Sequence, residues 1–293
     1  MKRFQGVMPA LVTPLREDET LNVPVLRQLL DRLLAQGADG FYIGGATGEG
    51  IALPREVRES LTEEAIGHVK GRKPCIIHIA STNFREAVEL AKHAERAGAD
   101  AVSAIPPLFY HYDEDDVYGY YRRLAESVHI PMMIYYNPAA GVSMNADFAA
   151  RMFEVDNITA IKWTSSDYAG VMRLKDVTHG EMNIMNGPDD MLFVGLSAGA
   201  DGGIGTTYNM MLPRIRRIYV NFISGNQKEA LKAQAEVVGI IEAFKKYECV
   251  PGVKGVLECQ GYAMGDAAFP MKRYSGEEKK EMFAELLLAG LEG

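Results

Sequence analysis

Short runs of β-type residues alternate with amphipathic helical runs through most of this chain, and that alternation narrows the fold more than any other feature. Gly6 to Val12 reads as a first strand, followed by Val25, Leu26, Leu29, Leu30, Leu33 and Leu34 at helical spacing. Phe41-Tyr42-Ile43 is a second strand, and the helix after it carries Pro54 near its start and Val57, Leu61, Ala65, Ile66 and Val69 on one face. Cys75 to Ala80 is a third strand, and Asn83 with Glu86 predicts a capping box opening the next helix. Further strands are predicted at Ala101–Ile105, Met132–Tyr136, Ile158–Trp163, Asn183–Met185 and Gly202–Gly205, with helices at about 114–128, 145–153, 167–176 and 190–198 between them. Crossovers of this length require parallel strands. Eight such units predict a closed (β/α)8 TIM barrel over residues 1–225, with a doubly wound open sheet as the alternative. From about 226 the strands stop, and residues 226–293 read as a helical extension packed on the barrel.

The chain has 293 residues and a formal net charge of −8, which leaves no basic footprint for nucleic acid or an anionic membrane. The uncharged stretch from Ser127 to Ala146 is long enough to span a bilayer, but Pro131, Asn137, Pro138, Gly141 and Asn145 make it a strand and loop. Three scattered cysteines, Cys75, Cys249 and Cys259, offer neither a disulfide framework nor a thiolate metal site. The first residues lack the apolar run of a signal peptide, so a soluble, reduced, cytoplasmic protein is expected.

Unusual residues gather just after strands. Gly44-Gly45-Ala46-Thr47-Gly48-Glu49 follows the second, Pro106 to Tyr110 the fourth, and Tyr135-Tyr136-Asn137-Pro138 closes the fifth. Lys162 ends the sixth, Asn186-Gly187-Pro188-Asp189-Asp190 follows the seventh, and Gly202 to Asn209 ends the eighth. In a barrel these segments share one rim, where barrel enzymes place their sites. The turn at 44–49 can offer backbone N–H groups to an anion, yet it matches neither a Walker loop nor a dinucleotide fingerprint. Lys162 is expected to point into the barrel as an amine that attacks a carbonyl; a lysine that reaches solvent or pairs with a carboxylate is the other reading. Tyr135 and Tyr136 must face opposite ways, one free to act as an acid–base group and the other packed, unless both are core. The six histidines show no metal-ligand spacing, so no metal is expected. Asp113 to Asp116 read as a solvated helix start, and Ser165 and Ser166 have no triad partners.

Together the Gly-Gly-x-Thr-Gly-Glu turn, the tyrosine before Asn-Pro and the Ile-Lys strand end resemble the pyruvate-dependent Schiff-base aldolases, the family containing N-acetylneuraminate lyase and dihydrodipicolinate synthase. The similarity runs from Gly6 to about Asn209 and implies a (β/α)8 barrel, a homotetramer, and a 2-oxo acid held covalently on a lysine with no other cofactor. Carried over by position, Lys162 would form the Schiff base, Tyr135 would be the acid–base tyrosine, and Thr47 with its neighbours Ala46 and Gly48 would hold the carboxylate. The lyase branch is the more similar one. Gly199 to Asn209 resembles its Gly-Ile-Gly-Ser-Thr-Tyr-Asn signature, and Thr164, Gly187, Asp189, Asp190, Gly205 and Thr206 match positions at the substrate. No arginine follows the tyrosine motif, which separates the chain from the synthases. It also departs from the lyases: Ala46 stands for a serine, Phe109 for a relay tyrosine donated by a neighbouring subunit, with Tyr110 beside it, Asp190 for a glutamate, and Thr206 for a serine. The resemblance thus implies cleavage of N-acetylneuraminate or a related 2-oxo sugar acid to pyruvate and an aldehyde, N-acetylmannosamine in the former case. The alternatives are a 2-keto-3-deoxy sugar acid aldolase or dehydratase, a dihydrodipicolinate synthase-like enzyme, and a non-catalytic 2-oxo acid binding protein.

Overall fold

A computed structural model describes residues 4–293. Eight strands, β1 (Gly6–Pro9), β2 (Phe41–Ile43), β3 (Cys75–His78), β4 (Ala101–Ala104), β5 (Met132–Tyr136), β6 (Ile158–Trp163), β7 (Asn183–Asn186) and β8 (Gly202–Gly205), form one parallel sheet in the order β1-β8-β7-β6-β5-β4-β3-β2. The two ends meet through a parallel bridge between Ala10 and Tyr42, where Leu11 N donates to Tyr42 O at 2.8 Å. The sheet therefore curls into a barrel, and the open-sheet alternative does not hold.

Helices α1 (Val23–Ala35), α2 (Arg55–Val69), α3 (Phe84–Ala97), α4 (Glu114–Ala125), α5 (Ala146–Met152), α6 (Tyr168–Val177), α7 (Leu192–Ser197) and α8 (Tyr208–Ile223) each follow a strand. Strand alternation divides the buried side chains into two sets. Met8, Tyr42, Ile76, Ala101, Met133, Tyr135, Ala160, Met185 and Ile204 fill the barrel interior. Val7, Phe41, Ile43, Ile77, Val102, Ile134, Tyr136, Ile161, Trp163 and Ile184 join the core between sheet and helices. The interior narrows at β8, where a Cβ on Gly202 would lie 2.1 Å from Gly6 O.

The predicted capping box at α3 takes another form. Asn83 accepts from Arg85 N at 3.0 Å, whereas Glu86 turns back to the Ser81 hydroxyl. The acidic run at 113–116 does start a helix: Asp113 accepts from Asp116 N and Asp116 from Asp113 N, closing a reciprocal cap. Helix α8 carries Pro213 and a non-helical Met211 (φ −144°), which kink it. Three helices follow: α9 (Gln227–Phe244), packed against α8, then α10 (Cys249–Cys259) and α11 (Gly276–Leu288), packed against each other. No helix of the described residues is long and apolar enough to cross a membrane.

Candidate active site

Lys162 occupies the last inward-facing position of β6, paired in register with Tyr135 on β5 and Met185 on β7. Its side chain lies in the interior and is only 6% exposed. Nζ sits 4.2 Å from the centre of the Tyr135 ring and 4.8 Å from that of Tyr42, so two aromatic faces receive the cation. Among the described residues no carboxylate or hydrogen-bond acceptor is paired with it. The reading in which Lys162 reaches solvent or joins an ion pair therefore fails, because the strand alternation turns it away from both.

Tyr135 and Tyr136 separate as adjacent strand residues must. Tyr135 belongs to the interior beside Lys162, whereas Tyr136 packs outward against Trp163 with ring centres 4.7 Å apart. Thr164 follows β6, and its N–H donates to Tyr136 O at 2.8 Å, extending the strand pairing to the rim. The Thr164 hydroxyl is buried with no hydrogen-bond partner among the described residues. Gly187, just past β7, faces it, and a Cβ there would fall 2.0 Å from Thr164 Oγ1, so only glycine lets the two loops approach.

The turn after β2 folds tightly on itself. Gly44 adopts φ +70°, and a Cβ on Gly48 would stand 2.9 Å from Leu11 O and 3.0 Å from Gly44 N. Thr13 Oγ1 donates to Gly48 O at 2.7 Å. Thr47 Oγ1 lies 2.6 Å from Thr206 Oγ1, which ties this turn to the end of β8, while Ala46 projects outward and exposed. At β8 a Cβ on Gly205 would lie 2.2 Å from Asp189 Oδ1. Asp189 accepts from the Thr207 N–H and hydroxyl, both at 2.7 Å, through Oδ2. Burial raises its pKa, against the opposing pull of those two bonds and of Lys162. Asp190 stands further out, 3.8 Å from Lys245 Nζ at the end of α9.

The structure thus gathers Lys162, Tyr135, Thr47, Gly48, Thr164, Gly187, Asp189, Gly205 and Thr206 at the C-terminal ends of the strands, with Asp190 and Ala46 at the margin. Phe109 and Tyr110 stay apart from them, 92% and 71% exposed and edge to face at 5.1 Å. Sequence reasoning missed Tyr42, whose hydroxyl donates to Ser103 Oγ at 2.9 Å inside the barrel. It also missed the partner of Glu49. That residue has φ +62° and is fully buried; Lys254 Nζ of α10 meets Oε1 at 2.6 Å, and Ala268 N donates to Oε2 at 2.6 Å. Burial lowers the Lys254 pKa against the pull of Glu49. The glutamate closing the glycine-rich motif was the available signal, but its partner lies far along the chain.

The arrangement is a buried amine, a tyrosine ring against it and a tight polar turn at the same rim, a set suited to carbonyl chemistry. Comparison with known proteins agrees in family. Curated N-acetylneuraminate lyases of Citrobacter koseri and Rhizobium meliloti are 35% and 31% identical, over 87% of this chain and 86% of the first, and over 92% and 90% for the second. The solved structure of Proteus mirabilis N-acetylneuraminate lyase superposes with a TM-score of 0.93 at 28% identity, covering 99% of both chains. The model of the dihydrodipicolinate synthetase family matches residues 3–288. With a barrel closed around an interior lysine and a match that runs almost from end to end, this chain belongs to the dihydrodipicolinate synthetase family of enzymes.

Proposed function

We propose that the protein is a class I aldolase that reversibly cleaves N-acetylneuraminate, or a related 2-oxo sugar acid, to pyruvate and an aldehyde. The observation that carries this reading is Lys162: a buried amine inside the barrel, flanked by two tyrosine faces and paired with no carboxylate among the described residues. As the free amine, Nζ adds to the 2-oxo carbon and water leaves, giving an iminium. When the adjacent carbon–carbon bond breaks, its electron pair moves toward the iminium nitrogen and forms an enamine. Tyr135 takes the proton from the hydroxyl on the far carbon of that bond, which becomes the carbonyl of the departing aldehyde, and protonation of the enamine followed by hydrolysis frees pyruvate and Lys162. Thr47, the N–H groups of its turn and Thr206 hold the carboxylate. Thr164, Gly187, Asp189 and Asp190 line the side where the rest of the chain lies. Catalysis passes through the covalent adduct and calls for no metal or further cofactor.

The named similarity to N-acetylneuraminate lyases supports the substrate class, and the exposed pair Phe109 and Tyr110 supports a homotetramer in which that loop meets a neighbouring subunit. A cytoplasmic location belongs to the same reading. A second substrate reading, a different 2-oxo sugar acid, is favoured by Asp190, which is shorter than the glutamate of the lyases and lies near Lys245. The test is pyruvate release from N-acetylneuraminate by the purified protein, with Lys162→Ala as the blank. Lysine-dependent release is expected. No release, with pyruvate still trapped on Lys162 by borohydride, would move the substrate to another 2-oxo sugar acid. Neither release nor trapping would remove the aldolase reading altogether.

Side-chain direction in β5 supplies a sharper check. Tyr135→Phe should lower kcat by about 10²–10⁴-fold, the usual worth of a positioned acid–base group, with pyruvate capture weakened far less. Tyr136→Phe should be nearly silent, because that ring packs on Trp163 outside the barrel. Steady-state kinetics of the two variants decide it, and the reverse ranking would move the proton transfer from Tyr135 to Tyr136.

A further inference from the structure

Two tyrosine faces flank Lys162 Nζ, and proton transfer employs only one of them. Tyr42 reaches the same nitrogen from β2, with Nζ over its ring and 4.8 Å from the centre. That ring is pinned at several points. Its hydroxyl donates to Ser103 Oγ on β4 at 2.9 Å, and both residues are buried. Gly45 presses on its edge, where a Cβ would stand 2.5 Å from Tyr42 Cε1, and Tyr135 meets it edge to face at 6.0 Å. The Tyr42 carbonyl accepts from Leu11 N where the barrel closes.

A ring clamped in this way is unsuited to proton transfer. Its hydroxyl proton is engaged by Ser103, and burial holds the phenol pKa well above its usual range, so the ring stays neutral. What it offers Lys162 is the negative face of its π system. That face matters because the charge at Nζ changes during the reaction. A neutral amine that joins the 2-oxo carbon takes up one proton, releases water and becomes a cationic iminium. An ammonium that does so releases water alone and remains a cation. His78 at the end of β3 and the more distant Asp189 also lie in the field of this nitrogen. Burial, then the charges of Arg58 and Lys162, hold the His78 pKa down to about 3, so the imidazole adds no second cation. The ring faces and Asp189 are left to answer the charge on Lys162.

We propose that Tyr42 is a charge-stabilising residue of the Schiff-base chemistry: its ring face, fixed by Ser103 and Gly45, holds the positive charge of the iminium on Lys162. This inference rests on the aldolase reading of the site.

The test changes the electrons of the ring and keeps its shape. Tyr42→Phe retains the ring face, and mono-, di- and trifluorinated phenylalanines at the same position drain it stepwise. Hydride trapping of pyruvate on Lys162 at varied pyruvate gives the half-saturating concentration, with thermal melting measured alongside. In the wild type this concentration should be level at low pH and climb once the resting lysine is the neutral amine. On the level side a cation replaces a cation, so the series should agree within about twofold. On the climbing side only the adduct is charged, and half-saturation should rise with each fluorine. From Tyr42→Phe to the trifluorinated ring the rise should reach about tenfold, the scale of a desolvated ring–cation contact. A series that agrees at every pH would overturn the inference. So would an equal rise on both sides, or one that follows melting temperature, because packing alone does not distinguish the charge states. In either case trapping in the wild type keeps the aldolase reading. Wild-type protein that traps no pyruvate would remove both.

Discussion

Lys162→Met should abolish turnover and leave the fold at least as stable as the wild type. The loss expected is on the order of a million-fold in kcat, the scale on which removing a covalent nucleophile costs an enzyme. Two other enclosed amines of the described residues are already engaged: Lys254 is held in an ion pair with Glu49, and Lys175 with Asp201. Stability should move the other way. Lys162 holds a cation in the barrel interior against two ring faces, with no carboxylate of the described residues in ion-pair contact and only the more distant Asp189 to offset its lost hydration. Methionine has similar length and no charge to desolvate, and it meets Tyr42, Tyr135 and Met185 as a neighbour of like polarity. The predicted signature is thus an inactive protein with an unchanged or raised Tm, read by the pyruvate assay and thermal melting together. Turnover within tenfold of wild type would end the Schiff-base mechanism. A large fall in Tm would show that the ammonium is held by interactions stronger than the two ring faces.

Much of this is legible in the sequence, for reasons that differ from element to element. The strands were readable because runs such as Ile158–Trp163 are short, apolar and flanked by helical spacing, and a parallel barrel buries both faces of each strand. The common rim then followed from topology, which carries the loops after β2, β5, β6, β7 and β8 to one end. Helix α8 was harder to see. It opens directly from the Thr206-Thr207 turn and contains Pro213, so propensity argues against a helix that tertiary packing enforces. The box expected at Asn83 and Glu86 failed because the Ser81 hydroxyl competes for the glutamate. Alternation showed that Tyr135 and Tyr136 oppose one another but not which is inside, since both are buried and both aromatic. The supports of the site were the least legible. Glu49 reaches Ala268 over 219 residues of chain, a distance no local pattern reports.

That distant support gives the second large effect, expected on removing Lys254. Lys254→Met would leave the Glu49 carboxylate, wholly buried, with the Ala268 N–H as its remaining partner among the described residues. Breaking a buried pair from one side costs about 3–5 kcal/mol, because the surviving charge loses its partner and cannot regain water. In a chain of this size that is on the order of 10 °C in Tm. The damage should also reach the chemistry. Glu49 closes the turn that carries Thr47, and its positive φ is a conformation a glutamate keeps only while something holds it. Once the strut from α10 is gone, the turn can relax, and half-saturation for pyruvate trapping should rise in the protein that remains folded. Glu49→Gln in the Lys254→Met background removes the stranded charge, so the double variant should be more stable than Lys254→Met alone, though its turn stays loosened. Thermal melts of the wild type and the two variants, with pyruvate trapping at a temperature where all are folded, separate the two effects. If Lys254→Met melts with the wild type, the ion pair is dispensable. If it melts low but captures pyruvate normally, α10 stabilises the barrel without shaping the turn. The expected pattern, low melting and weak capture with only the melting restored in the double variant, would make the C-terminal helices a working part of the active site.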